Sequence, residues 1–122
     1  MTINEALERL KSLHTVNGHK LHVYTELPAV AQTPCMAVKD VTGTYSSTLG
    51  ESELTVSLVV MVSYADTKVA ATKLNELLDY SALPSELVQL GFSPTEFDEK
   101  FLYQFGGSTF LGSEITATIE SN

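Results

Sequence analysis

Hydrophobic positions alternate with a period of two through Glu53–Val62, where Leu54, Val56, Leu58, Val60 and Val62 fall on one side of an extended chain. The opposite side carries Thr55, Ser57, Val59, Met61 and Ser63, so this strand is half apolar on its second face and is expected to be partly covered there. At Asp66 the period changes. Its carboxylate is placed to cap a helix over Thr67–Asp79, in which Ala70, Leu74, Leu77 and Leu78 form one apolar stripe. A strand that feeds a helix folding back over the sheet is a scaffold rather than a reactive site.

The same reading extends to both ends. Thr2 and Glu5 have the spacing of a capping box, and Ile3, Ala6, Leu7, Leu10 and Leu13 give a first helix its apolar stripe, with Asn17-Gly18 as its expected stop. His19–Thr25 reads as a short strand, Leu27–Pro34 as a Pro-punctuated loop and Cys35–Val41 as a second strand. Thr42–Ser52 has two glycines and no hydrophobic period, which predicts a long, mobile hairpin tip before the strand at Glu53. Leu83-Pro84-Ser85 marks a break followed by a short capped helix to Leu90, closed by Gly91.

In the C-terminal region Phe97, Phe101, Tyr103 and Phe105 sit on odd positions, as do Leu111, Ile115, Ala117 and Ile119. Residues paired across a hairpin share a face, so a single core requires odd to pair with odd. A two-residue Gly106-Gly107 turn sends the two sets to opposite faces. A three-residue bulged connection reunites them, and burial worth roughly 1.5–3 kcal/mol per large side chain favours the bulge. The expected fold class is therefore α+β, a mainly antiparallel sheet of four to five strands with two principal helices packed on one face. At 122 residues, with no linker-like shift in composition, residues 1–122 are read as a single domain.

Composition narrows function by exclusion. Fifteen acidic against seven basic residues, a net charge of −8, disfavours gripping nucleic acid through its phosphates. No apolar run approaches the roughly 20 residues of a membrane span, and the N-terminus reads as an amphipathic helix rather than a signal peptide. The lone Cys35 allows no internal disulfide and is read as a small buried hydrophobe rather than a nucleophile.

The other candidate chemistry is thin. His19 and His22 have an H-x-x-H spacing, but strand alternation sends them to opposite faces, and His14 belongs at the end of the first helix. Glu96, Asp98 and Glu99 cannot all face one pocket from a strand. Gly106-Gly107 lacks the spacing and following helix of a phosphate loop. The reading is of a chain with no catalytic residue, no metal and no cofactor.

Several stretches together resemble the tail terminator proteins of long-tailed, siphophage-type bacteriophages. They are the N-terminal helix, V-Y-x-x-L-P at Val23–Pro28, V-x-V-S-x-A-D at Val60–Asp66, the helix ending K-L-N-E-L-L, and F-G-G-S-T-F-L-G-S-E-I-T-A-T-I-E at Phe105–Glu120. The likeness spans nearly the whole chain and is weakest over Leu83–Gly91. It implies a structural virion protein that forms a ring, usually a hexamer, on the tail tube. Such a ring ends tube polymerisation and joins the tail to the head–neck connector, with DNA passing through an acidic lumen without specific binding. Its place is the virion, at the tail or neck, after assembly in the host cytoplasm. The tail tube protein, the connector and further copies of the chain are the implied partners. Within Thr42–Ser52 the expected interface residues are Tyr45, Ser46, Ser47, Leu49 and Gly50, Tyr45 and Leu49 being the apolar anchors. A neck or head-completion adaptor, or a small ligand-binding α+β domain, are the alternative readings.

Overall fold

The structure, a computed structural model, describes residues 2–46 and 51–121. Helix α1 (Ile3–Lys11) opens on Thr2, whose hydroxyl accepts the Glu5 N–H at 3.1 Å. Ala6 and Leu10 are buried and Leu7 packs against the core, whereas Ile3, expected in the stripe, is exposed. The helix stops at Ser12, whose N–H and hydroxyl both bond to the Arg9 carbonyl. Asn17-Gly18 therefore does not end the helix. With φ of 52° and 80° it turns a small hairpin between β1 (Thr15–Val16) and β2 (His19–Lys20), a geometry that Asn-Gly favours. The strand expected over His19–Thr25 is broken at Leu21, which is buried and bonds to the His14 carbonyl. It resumes as β3 (His22–Tyr24), parallel to the start of β4 (Cys35–Ser46).

β4 and β5 (Glu51–Ser63) form a long antiparallel hairpin, and β8 (Ser108–Ser121) lies along the whole length of β5. The ladder continues through most of the stretch read as an irregular tip, pairing Tyr45 with Ser52 and Ser46 with Glu51. Two features make this possible. The β-branched Thr42 and Thr44 suit extended backbone, and Gly43 leaves room for Leu54, whose Cδ2 would stand 2.8 Å from a Cβ at position 43. A bulge at Lys39 adds one residue, so that Val38 and Val41 face the same side of the sheet, opposite Leu58 and Val56.

Helix α2 (Thr67–Leu78) is capped by Asp66, whose Oδ1 accepts the Val69 N–H at 3.0 Å, and it buries Ala70, Leu74 and Leu78. Helix α3 (Leu83–Gln89) buries Leu83, Pro84 and Leu87 but has no side-chain cap. Gly91, at φ 95°, then turns the chain into the buried Phe92. Side chains from all three helices join Val56, Leu58, Val60, Ile115, Ala117 and Ile119 in one core on a single face of the sheet.

The fold is α+β with a mostly antiparallel sheet, but the strand number differs from the expected four to five. The main sheet has six strands in the order β3-β4-β5-β8-β6, with β7 also on β8, and the β1–β2 hairpin is separate. The excess arises at one edge. β6 (Ser93–Phe97) pairs with β8 near Ile115–Thr118 and β7 (Phe101–Phe105) pairs with it near Ser108–Gly112, so two short strands occupy one flank. The break at 98–100 is held by the Asp98 N–H on the Glu114 carbonyl and by the Ser113 hydroxyl donating to the Asp98 carbonyl at 2.7 Å.

The bulged β7–β8 connection is overturned. Gly106 and Gly107, at φ 57° and 81°, form a two-residue turn that pairs Phe105 with Ser108 and Phe101 with Gly112. Phe101 and Tyr103 lie on the face opposite Leu111 and Ile115, where Tyr103 joins a second core, whereas Phe97 pairs with Ile115 and shares its face. On the second face Cys35, Val59, Met61 and Phe110 are buried, with Tyr24, Ala31 and Tyr103 packed against them. The loop after β3 closes this second core: Gln32 N–H donates to the Tyr24 hydroxyl at 3.0 Å, and Ala29 and Val30 reach the Gly106 turn.

Candidate assembly surface

β3 accompanies β4 only along Cys35–Ala37. Beyond the bulge, the outer edge of β4 has no strand beside it among the described residues, and the Val41 N–H is taken by Asp40 Oδ1 at 2.8 Å. The distal parts of β4, β5 and β8 form an arm. Register places Val41, Gly43 and Tyr45 of this arm on the helix-bearing face, opposite Val56, Leu54 and Ser52. Val41 is half-buried and Leu54 buried, but Tyr45, near the arm's end, is 93% exposed. A tyrosine ring in water is unfavourable surface to leave uncovered and a common anchor in protein interfaces. Ser46 closes the ladder opposite Glu51; its side chain, together with Ser47, Leu49 and Gly50, lies outside the described residues.

The other face of the arm is polar. Thr42, Thr55 and Thr118 line up across three strands, as do Asp40, Ser57 and Thr116. At the root of the arm Lys39 Nζ meets Glu114 Oε1 at 2.6 Å, and this hydrogen bond, then the charge of Glu114, raises the lysine pKa. The apolar half of the second face, expected to be partly covered, is covered by the chain's own Tyr24–Pro34 segment.

The exposed hydrophobic edge that the periodicity did not reveal is β6–β7. Phe97 is 60%, Phe101 49% and Leu102 57% exposed, although the odd-position pattern placed Phe97 and Phe101 in the core. Among the described residues this edge has only β8 beside it. Near Phe97, a notch of about 460 Å³ opens between β6 and the ends of α2 and α3.

The other candidate residues stand apart. Cys35 is fully buried and its thiol is pushed up to about 11 by burial, partly opposed by a backbone hydrogen bond at Met61, so it is a protonated core group at neutral pH. His14, expected at the end of the first helix, lies exposed between α1 and β1, His19 is exposed on β2, and His22 begins β3. Glu96, Asp98 and Glu99 are solvent-facing, Asp66 is a helix cap, and Gly106-Gly107 is the hairpin turn. Among the described residues no three His, Cys, Asp or Glu side chains gather as a metal site, and no helix is long and apolar enough to cross a membrane. No protein-family model matches the chain, and no curated protein matches it.

Proposed function

We propose that this chain is a structural virion protein, a ring-forming tail terminator that caps the tail tube of a long-tailed bacteriophage, ends its polymerisation and presents the tail to the head–neck connector. The observation that carries the reading is the β4–β5 arm, a strand pair extended to its end that holds Tyr45 in solvent. It is an element built for contact with another molecule. The resemblance of Val23–Pro28, Val60–Asp66 and Phe105–Glu120 to tail terminators supplies the kind of assembly. The apolar β6–β7 edge offers a second contact surface, and a subunit with two different contact surfaces joins its copies head to tail, which closes a ring when the rotation allows. The net charge of −8 suits a lumen through which DNA slides without adhering.

The test uses the unaltered chain. Added to polymerising tail tube protein, it should sit as a ring on tube ends in electron micrographs and narrow the distribution of tube lengths. Tubes that grow equally long with the chain present, and bare ends, would remove the reading. Rings that bind a portal or connector protein but never tube ends would assign the chain to the neck adaptors instead.

A further inference from the structure

Two strand edges of the main sheet carry no device against pairing with another strand. The five residues of β7 hold no charge, no proline and no bulge, and neither do Thr42–Ser46 of β4. The other edges are blunted: β6 has Pro94, a register shift at Thr95 and Glu96, and β3 is three residues long. On β7 the exposed apolar side chains point to both faces. Leu102, paired with Leu111, lies on the helix-bearing face, and Phe101, paired with Gly112, lies on the other. A partner resting on either face covers one of them, whereas an added strand flanks both.

The two-residue turn at Gly106-Gly107 fixes which backbone groups those edges offer. The pair that closes such a turn, Phe105 and Ser108, exchanges both backbone hydrogen bonds, and alternation then directs the N–H and C=O of Leu102 and Gln104 away from β8. Even-numbered residues of β8 face that flank, as the bond from the Asp98 N–H to the Glu114 carbonyl shows, and odd-numbered ones face β5. Carried through the register across β5, the same alternation turns Val41, Gly43 and Tyr45 outward from the free edge of β4. The Val41 N–H agrees, being taken by Asp40 Oδ1 rather than by β5. Outward groups on both edges therefore recur every second residue, about 6.8 Å apart.

We propose that Thr42–Ser46 of one copy adds to β7 of a neighbouring copy as an antiparallel strand, so that the sheet runs on from subunit to subunit. This deepens the ring reading and rests on it. One register uses both edges fully: Gly43 opposite Gln104 and Tyr45 opposite Leu102 exchange outward N–H and C=O groups, and all five residues of β7 find a partner. The pairing ends at the Gly106 turn on one strand and at Val41, whose N–H is already bonded, on the other. Side chains agree with backbone. Tyr45 and Leu102, both exposed and both on the helix-bearing face, become a cross-strand pair, with the helices of the two copies on the same side. The two edges lie on opposite flanks of one sheet, so the contact is heterologous and repeats from copy to copy.

Sedimentation velocity of the full chain, Gln104→Ala and Gln104→Pro tests the backbone pairing, with circular dichroism to check each fold. Proline deletes only the outward N–H of an edge strand, a position where sheets tolerate it. The unaltered chain is expected to self-associate, and Gln104→Pro to weaken association about tenfold or more beyond Gln104→Ala, which keeps the N–H. The register is read separately by Tyr45→Cys/Leu102→Cys, whose paired Cα atoms would stand about 5.5 Å apart, within the span of a disulfide. Mild oxidation, with free thiols blocked before unfolding, should give a ladder of linked species beyond the dimer, and neither single variant should give one. An unaltered chain that stays monomeric, a folded Gln104→Pro variant that associates like Gln104→Ala, a double-cysteine variant without the ladder, or cross-links to tube protein alone each overturns the proposal. Dimers formed as readily by a single-cysteine variant do so too, because they mark a two-fold contact. Copies that pair as described but cap no tube leave this contact standing and remove the tail-terminator reading. Tube capping by a chain whose association ignores the proline does the reverse.

Discussion

Tyr103 lies against Gly112 across the β7–β8 hairpin: a Cβ at position 112 would stand 2.9 Å from Tyr103 Cε2 and 2.8 Å from the Val60 carbonyl oxygen. The glycine is the space into which the aromatic ring folds, which seals the second core beside Met61 and Phe110. Gly112→Ala should therefore destabilise the domain by about 1–3 kcal/mol, the usual cost of forcing atoms into a packed site. In a Tyr103→Ala background the added cost should fall, because the ring contact is gone while the Val60 contact remains. Urea denaturation of the two single variants and the double variant measures this coupling. Equal penalties in both backgrounds would contradict the packing described.

Gly43 plays the corresponding part on the helix-bearing face of the arm. A Cβ there would stand 2.8 Å from Leu54 Cδ2 and 2.9 Å from the Glu53 carbonyl oxygen, and the backbone atom cannot swing aside. Gly43→Val should destabilise by about 1–3 kcal/mol despite the better strand propensity of valine. A stabilised Gly43→Val variant in thermal melts would mean that residues 42–46 are not paired with β5 as described.

Cys35 makes stability depend on alkaline pH. Its thiol ionises at about 9 when unfolded and at about 11 in the fold, so between these values the unfolded chain binds fewer protons than the native one. Stability is unaffected by this group below pH 9 and declines as pH rises towards 11, by an amount on the order of 2 kcal/mol. Cys35→Ala should remove that part of the slope while itself costing some packing. In the same protein, a thiol reagent at pH 8 should label Cys35 slowly in buffer and rapidly in urea.

Tyr45 and Leu49 separate assembly from folding. Tyr45 is 93% exposed, so Tyr45→Ser/Leu49→Ser should leave the melting temperature nearly unchanged, within about 0.5 kcal/mol of stability. Complementation with the double variant, scored by electron microscopy, should show tails of uncontrolled length. Tails of uniform length from a normally expressed variant would detach Tyr45 and Leu49 from length control.

Much of the local architecture is legible in the residues alone. The alternation through Leu54–Val62, the cap at Asp66 and the Ala70–Leu74 spacing are short-range patterns. Backbone geometry ties each of them to a strand face, a helix start or a buried stripe. Tertiary structure decided which faces were covered. Alternation in Val59 and Met61 shows a second apolar face but not the remote segment, Tyr24–Pro34, that buries it. With that cover in place the two-residue Gly106-Gly107 turn still packs Tyr103 and Phe110 in a core, whereas a single-core argument forbids it. The same dependence on distant partners extended β4 through Thr42–Ser46, a stretch whose own composition favours a loop: pairing with β5, itself braced along its length by β8, supplies the backbone hydrogen bonds. It also left Phe97 and Phe101 on an edge rather than in the core. Period and capping are properties of neighbours in sequence. Coverage is a property of neighbours in space, and the chain acquires those only on folding.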